Sequence, residues 1–246
     1  MVKAVIFDFY NTLAETRQFG PSWEELVAEL GYALPADVRE RWWNDGIDGT
    51  EHDEHSVSRD HYVAWQQSRV RSMLAECSMP AAVQDVFIER VREISGHNRI
   101  DRYDEVDGVL RGLREQGIAL AICSNWDWDL HDAVDSAGLT GAFDVVVSSA
   151  WVGARKAHPR IYAHTLDLLG VAPQDALFVG DTWTCDVAGP RAAGMRAVYV
   201  RRTHLGVDHT APEPHPSEHG DHDDHDAHVH HAIDLRAVEA LGSDQP

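Results

Sequence analysis

The 246-residue sequence has no apolar run approaching the ~20 residues that a membrane-spanning helix needs. Met1-Val2-Lys3-Ala4 leads directly into a strand-like segment with no signal-peptide pattern. These two absences lead us to expect a cytoplasmic protein with no membrane partner. Basic residues are also few: 21 Lys and Arg stand against 41 Asp and Glu, for a formal net charge of −20. That balance argues against nucleic acid and anionic lipid as partners, because phosphate backbones are bound by cations that displace their counterions. Cysteine is scarce and odd in number. Cys77, Cys123 and Cys185 are widely spaced in apolar contexts, which fits a reducing compartment better than a disulfide framework. Internal repeats are absent. From His204 to His231 there is no Lys or Arg, and seven acids and nine histidines carry −7 of the net charge.

What is present begins with Val2 to Phe7, a buried strand that stops at Asp8, where open α/β sheets place their ligands. From Ala14 to about Gly96 the chain reads almost wholly helical. Ser22 caps a first helix closed by Gly31, a second runs from about Ala36 to Asn44, and Ser56 to Glu76 and Ala81 to Ser95 carry apolar residues at helical spacing. Val63, Val70 and Leu74 mark the inner face of the third helix. Between the second and third, Asp45 to His55 reads as a turn-rich excursion with no core of its own.

From Tyr103 onward helix and strand alternate, the signature of a parallel sheet. Helices are expected over about 106–116, 129–137, 159–169 and 186–193, with strands over 118–123, 143–147, 176–179 and 196–200. Residues 204–231, rich in His, Asp and Pro, read as a flexible loop insertion, followed by a short edge strand over 232–235 and a last helical turn or two. The expected architecture is α/β, a Rossmann-like parallel sheet core of residues 1–14 and 100–246 with an inserted α-helical bundle, a cap, over 15–99.

Four polar markers fall at strand ends or in the loops just after them: Asp8, Ser124, Lys156, and Asp181 with Asp186. Each alone has an ordinary explanation as a cap, a turn residue or a solvated charge. Together, in this order at one sheet edge, the chain resembles the haloacid dehalogenase superfamily. The motifs are Phe7-Asp8-Phe9-Tyr10-Asn11-Thr12-Leu13, Ile122-Cys123-Ser124-Asn125, Lys156 in Gly153-Ala154-Arg155-Lys156-Ala157-His158-Pro159, and Val179-Gly180-Asp181 with Asp186. The resemblance spans roughly residues 1 to 200 and implies a hydrolase that forms a covalent intermediate on an aspartate. It implies Asp8 as nucleophile and metal ligand, the Tyr10 carbonyl and Asp181 as further Mg²⁺ ligands, and Asp186 supporting the metal or orienting Lys156. Thr12, Ser124 and Asn125 would hold phosphoryl oxygens or the loop around Asp8, with Asn11 and Trp126 also at the substrate. The chemistry explains the set: an anionic carboxylate reaches an anionic phosphate only where Mg²⁺ and an ammonium offset the repulsion.

Tyr10 departs from that pattern. Phosphatases of the superfamily usually carry there a second Asp that protonates the leaving group and activates water. A phenol with a pKa near ~10 can donate a proton at neutral pH but is a poor base. Three readings remain. One is a phosphatase limited to good leaving groups or supplied with an acid from the cap, His52 and His55 being candidates. Another is a 2-haloacid dehalogenase, whose halide leaves without a proton and whose enzymes also carry Tyr there. The last is a binder with little catalysis left. Gly180-Asp181 with Asp186 favours the metal-dependent phosphatase, acting on a small phosphorylated metabolite.

Eight tryptophans are present. Trp126, Trp128, Trp151 and Trp183 fall in loops after strands, with Trp42 and Trp43 near the cap loop; they either wall a pocket for an apolar leaving group or seal the cap on the core. Arg39 or Arg41 is a candidate for a substrate carboxylate, against a solvated helix face. The histidine-rich run offers imidazole and carboxylate to Zn²⁺ or Ni²⁺ as weak transition-metal binding, with no fixed geometry; a solvated acidic loop is the preferred reading.

Overall fold

The computed structural model describes residues 1–18, 20–43, 48–95, 99–212 and 229–242. The chain opens with β1 (Ala4–Phe7), turns through Asp8 to Leu13, and enters β2 (Ala14–Gln18). Four helices follow: α1 (Trp23–Glu29), α2 (Ala36–Trp43), α3 (Arg59–Glu76) and α4 (Ala81–Ser95). Strand β3 (Arg99–Arg102) then returns antiparallel to β2. This two-stranded ribbon carries the chain out of the sheet and back, and was not anticipated; Ala14-Glu15-Thr16-Arg17-Gln18 has no apolar alternation to mark a strand, since only pairing with β3 makes it one.

The remainder alternates as expected: α5 (Val106–Glu115), β4 (Ala119–Ser124), α6 (Leu130–Ser136), β5 (Val145–Ser148), α7 (Ser149–Val152), α8 (Pro159–Leu169), β6 (Ala176–Gly180), a π-helical turn (Trp183–Ala188), α9 (Gly189–Ala192), β7 (Arg196–Val200), β8 (Val229–Ala232) and α10 (Arg236–Gly242). The six-stranded sheet has the order β5-β4-β1-β6-β7-β8 and every pair is parallel. The fold is therefore α/β and Rossmann-like. Val5 and Phe7 pack into one apolar cluster and Ile6 into another on the opposite face, so β1 is covered on both sides and reads as a continuous apolar run.

The helical insertion has its own apolar cluster, including Leu26, Val27, Met73, Leu74 and Phe87. Helix α1 starts with a reciprocal cap: Glu25 N–H donates to Ser22 Oγ at 3.1 Å and Ser22 N–H to Glu25 Oε2 at 2.7 Å. The inner face of α3 agrees with expectation at Val70 and Leu74, which pack in this apolar cluster, and differs at Val63, which is 41% exposed; Tyr62, Arg69 and Met73 are buried with Leu74. Before Val70, α3 turns Gln66 and Arg69 onto a polar cavity, so the apolar spacing does not mark its buried side there.

One loop expectation is extended and another corrected. Residues 45–47 of the turn-rich excursion lie outside the described residues, and Asp48 to His55, without a core of its own, is held by the lysine loop. Gly49 N–H donates to Lys156 O (3.0 Å), His52 N–H to Gly153 O (2.7 Å) and Arg155 N–H to Thr50 O (3.0 Å), so backbone pairing holds it where apolar burial could not. Likewise residues 204–212 of the expected flexible insertion are anchored through buried Asp208, which accepts from Trp183 N–H (2.6 Å), Tyr199 OH (2.7 Å) and Thr210. The edge strand begins at Val229; residues 213–228 of the histidine-rich run lie outside the described residues. Among the described residues no helix is long and apolar enough to cross a membrane.

Candidate active site

Strand β1 is the sheet's interior register mark, flanked by β4 and β6. Asp8 follows it directly and its N–H donates to Val179 O at 2.8 Å, extending the β1–β6 ladder by one bond. Ser124 closes β4, and Asp181 follows β6. These carboxyl ends lie side by side because the strands are parallel and in register: Phe7 faces Ile122 on one side and Val179 on the other. Lys156 arrives from the loop between α7 and α8 and is only 2% exposed.

The side chains interlock. Lys156 Nζ donates to Asp8 Oδ1 at 2.6 Å and to Asp186 Oδ1 at 2.7 Å, and Ser124 Oγ donates to Asp8 Oδ1 at 2.9 Å. Both bonds to Asp8 use Oδ1, leaving Oδ2 as its available oxygen. Asp186 also accepts from Thr182 N–H through Oδ2 at 2.9 Å. Gly180 is required here by close approach: a Cβ on it would lie 2.3 Å from Asp186 Cγ.

Asp8, Asp181 and Asp186 are all buried, and each offers a carboxylate oxygen such that the three lie within 4.8 Å of one another. One ammonium against three carboxylates leaves negative charge uncompensated. Burial pushes the Asp186 carboxyl up to about 7, with Lys156 opposing and Asp8 reinforcing. Burial, together with the Asp8 and Asp186 charges, holds Asp181 well above the usual carboxylate range. Burial alone would lower the Lys156 pKa, but Asp186 and Asp8 outweigh it and hold the ammonium well above its ordinary value. A hard divalent cation fits this set, since all three donors are oxygens and the excess charge is what such an ion neutralises.

The site opens into a cavity of about 810 Å³. Of the residues singled out from sequence, Asp8, Tyr10, Asn11, Ser124, Asn125, Trp126, Lys156, Asp181 and Asp186 border it. Thr12 does not: it is fully buried, with its hydroxyl 3.4 Å from Asp181 Oδ1, behind the site. Asn125 serves the lysine loop, donating to Lys156 O at 2.9 Å and accepting from Lys156 N–H at 2.7 Å. Asn11 turns the motif-one loop with φ 60°, and Arg202 grips that loop through Asn11 O (3.1 Å) and Thr12 O (2.7 Å). The Tyr10 hydroxyl donates to Thr16 Oγ1 at 3.1 Å on β2, and its ring leans on Trp126.

Other candidates are placed elsewhere. His52 and His55 stack on Trp65 and do not border the cavity. Burial lowers the His52 pKa to about 4, so its ring is neutral near pH 7 and holds no acidic proton. Trp126 is the one tryptophan bordering the cavity among the described residues; Trp42 donates to Glu76, Trp151 to Trp128 O, and Trp183 packs on Tyr199. The side chain of Trp43 lies outside the described residues. Arg39 pairs with Glu24, and Arg41 with Asp37 and Glu76, away from the cavity. The arginines that do border it are Arg69, Arg155 and Arg201. Only Arg155 had a local signal, its place beside Lys156; the others are brought in by folding.

A Rossmann-like sheet with aspartate, serine, lysine and an acidic pair converging on the carboxyl ends of its strands defines a hydrolase class, and the profile of haloacid dehalogenase-like hydrolases matches residues 2–194. The chain belongs to that family. Among curated relatives, phosphoserine phosphatase of Thermus thermophilus is 38% identical over 52% of this chain and 53% of its own length, so the match spans about half of that protein. Phosphoglycolate phosphatase of Aquifex aeolicus is 34% identical over 87% of this chain and 93% of its own. The crystal structure of L-2-haloacid dehalogenase from Xanthobacter autotrophicus with chloropropionic acid covalently bound superposes with a TM-score of 0.58, 21% identity and full coverage of both chains. That last likeness bears on the fold alone.

Proposed function

We propose that this hydrolase is a Mg²⁺-dependent phosphatase of small phosphorylated metabolites, working in the cytoplasm through an aspartyl phosphate on Asp8, with residues 15–99 as its cap and 1–14 with 100–246 as its core. The observation that carries the reading is the buried triad of Asp8, Asp181 and Asp186, whose ligand oxygens lie within 4.8 Å of one another. Asp8, Asp181, Asp186 and the Tyr10 carbonyl would hold the cation. When bound, it supplies positive charge that lowers the repulsion between carboxylate and phosphate. Asp8 Oδ2 attacks phosphorus, the ester P–O bond breaks, and the leaving oxygen takes a proton from solvent; water then attacks the acyl phosphate, which releases inorganic phosphate and regenerates Asp8. Lys156 holds Asp8 Oδ1 and adds charge against the developing oxyanion. Ser124, Asn11, Asn125 and Trp126 border the phosphoryl site, and Thr12 supports Asp181. The two curated phosphatase relatives support this direction.

A second reading is favoured by one residue. Tyr10 stands where a proton donor is needed and its hydroxyl is engaged by Thr16, an arrangement that suits a leaving group requiring no proton, such as halide. The two are separated by screening phosphate esters and 2-haloacids with Mg²⁺ and with chelator. Phosphate release that requires Mg²⁺, is lost in Asp8→Asn and is stopped by a fluoride mimic of phosphate is expected. Chloride release from a 2-chloroacid in chelator would replace the phosphatase reading.

A further inference from the structure

Helix α3 brings to the cavity a buried cation that the phosphoryl chemistry does not use. Arg69 is 9% exposed and borders the same cavity as Asp8. Its guanidinium donates to Gln66 Oε1 at 2.8 Å and to the carbonyl of Trp42, and lies 5.2 Å from the centre of the Trp65 ring. Two of its five N–H groups are thereby engaged. Among the described residues no carboxylate lies within ion-pairing distance of it. Of the other acids bordering the cavity, Asp127 accepts from Tyr62 OH (2.9 Å) and Gln66 Nε2 (2.9 Å), Asp48 pairs with Arg155 at 2.9 Å, and Glu40 makes no ion pair with Arg69.

Buried arginines are ordinarily paired, because an uncompensated charge out of water is costly. Capping the Trp42 carbonyl does not explain the charge, since a neutral donor would serve. Burial and the neighbouring Arg155 lower the Arg69 pKa, while Asp127 opposes them from beyond ion-pairing distance, and Asp48 is paired with Arg155. With no carboxylate in contact among the described residues, three Arg69 N–H groups are left for an anion that enters the cavity. A volume of about 810 Å³ admits a small molecule reaching from Asp8 to the α3 wall.

We propose that Arg69, oriented by Gln66, receives a second oxyanion group of the substrate, a carboxylate or a second phosphate, at the end remote from the phosphoryl group transferred to Asp8. This rests on the phosphatase reading. It makes the substrate a doubly anionic small molecule, and Arg69 a residue that sets specificity.

The test compares wild type, Arg69→Gln and Arg69→Lys on phosphoglycolate, ethylene glycol bisphosphate and ethyl phosphate. Loss of a charged hydrogen bond predicts that the kcat/KM ratio of the preferred anionic-tailed substrate over ethyl phosphate falls ~10–100-fold in Arg69→Gln. Arg69→Lys is expected to recover part of it, and whichever tail loses most identifies carboxylate or phosphate. An equal loss on all three substrates would overturn the proposal in favour of a structural role for Arg69. Binding of the inert 3-phosphonopropionate, followed by calorimetry, reads the same subsite without turnover. If wild type hydrolyses no phosphate yet binds this ligand in an Arg69-dependent way, the phosphatase reading fails and the anion subsite stands; unchanged binding in Arg69→Gln refutes the subsite.

Discussion

Tyr10 is the side chain on which leaving-group chemistry turns. Its neighbour Asp8 is held by Lys156 and Ser124 through one oxygen, while the Tyr10 hydroxyl is spent on Thr16 and His52, which does not border the cavity, is neutral near pH 7. An acid restored at this position should therefore matter most where the leaving group is poor. Tyr10→Asp is expected to raise kcat on ethyl phosphate by ~10²-fold or more, with a smaller gain on p-nitrophenyl phosphate, whose phenolate leaves readily. Steady-state kinetics on the two esters checks this; an equal or absent gain would remove Tyr10 as the cause of restricted chemistry. Asp8, Ser124, Lys156, Asp181 and Asp186 were legible in sequence because each follows an apolar strand or lies in a loop of fixed order. Arg69 and Arg202 were not legible, since a lone arginine on a helix or after a strand reads as solvated until a tertiary partner surrounds it.

At the level of elements, the loop from Asp48 to His55 and the lysine loop behave as one unit. Gly153 marks their closest approach: its φ is 74°, and a Cβ there would lie 2.5 Å from Asp53 Cα. The substitution Gly153→Ala combines left-handed strain with a backbone clash. It is expected to cost about 1–3 kcal/mol of stability and to lower kcat by loosening Lys156. Thermal unfolding and kinetics on one preparation test both, and an unchanged Tm would contradict the tight junction. Parallel strands, helix caps and glycine stops were readable because period and punctuation are local properties. The β2–β3 ribbon, the pairing of the Asp48 loop and the anchoring of residues 204–212 were not, because their hydrogen bonds join segments far apart in sequence.

The whole molecule carries a net charge of −20, and the triad gathers three of its acids in a buried site. Burial raises the pKa of Asp181 and Asp186, the latter to about 7, so at pH 5 Asp186 holds a proton that a cation must displace, and at pH 8 the cation meets an ionised Asp186. Mg²⁺ is therefore expected to raise Tm more at pH 8 than at pH 5. Melting curves with Mg²⁺ and with chelator measure the difference, which Asp181→Asn should shrink; equal shifts at both pH values would argue against cation binding at the triad. Local order along the chain determined by itself the α/β alternation, the positions of the strand ends and the residue types that gather there, since a buried parallel strand is apolar throughout and its end is the first place a charge can stand. Only the tertiary structure decided that three of those acids share one small volume, that Thr12 stands behind it, and that Arg69 of α3 borders the same cavity. Those facts depend on distances between residues as far apart as Asp8 and Asp186, and no spacing along the chain carries them.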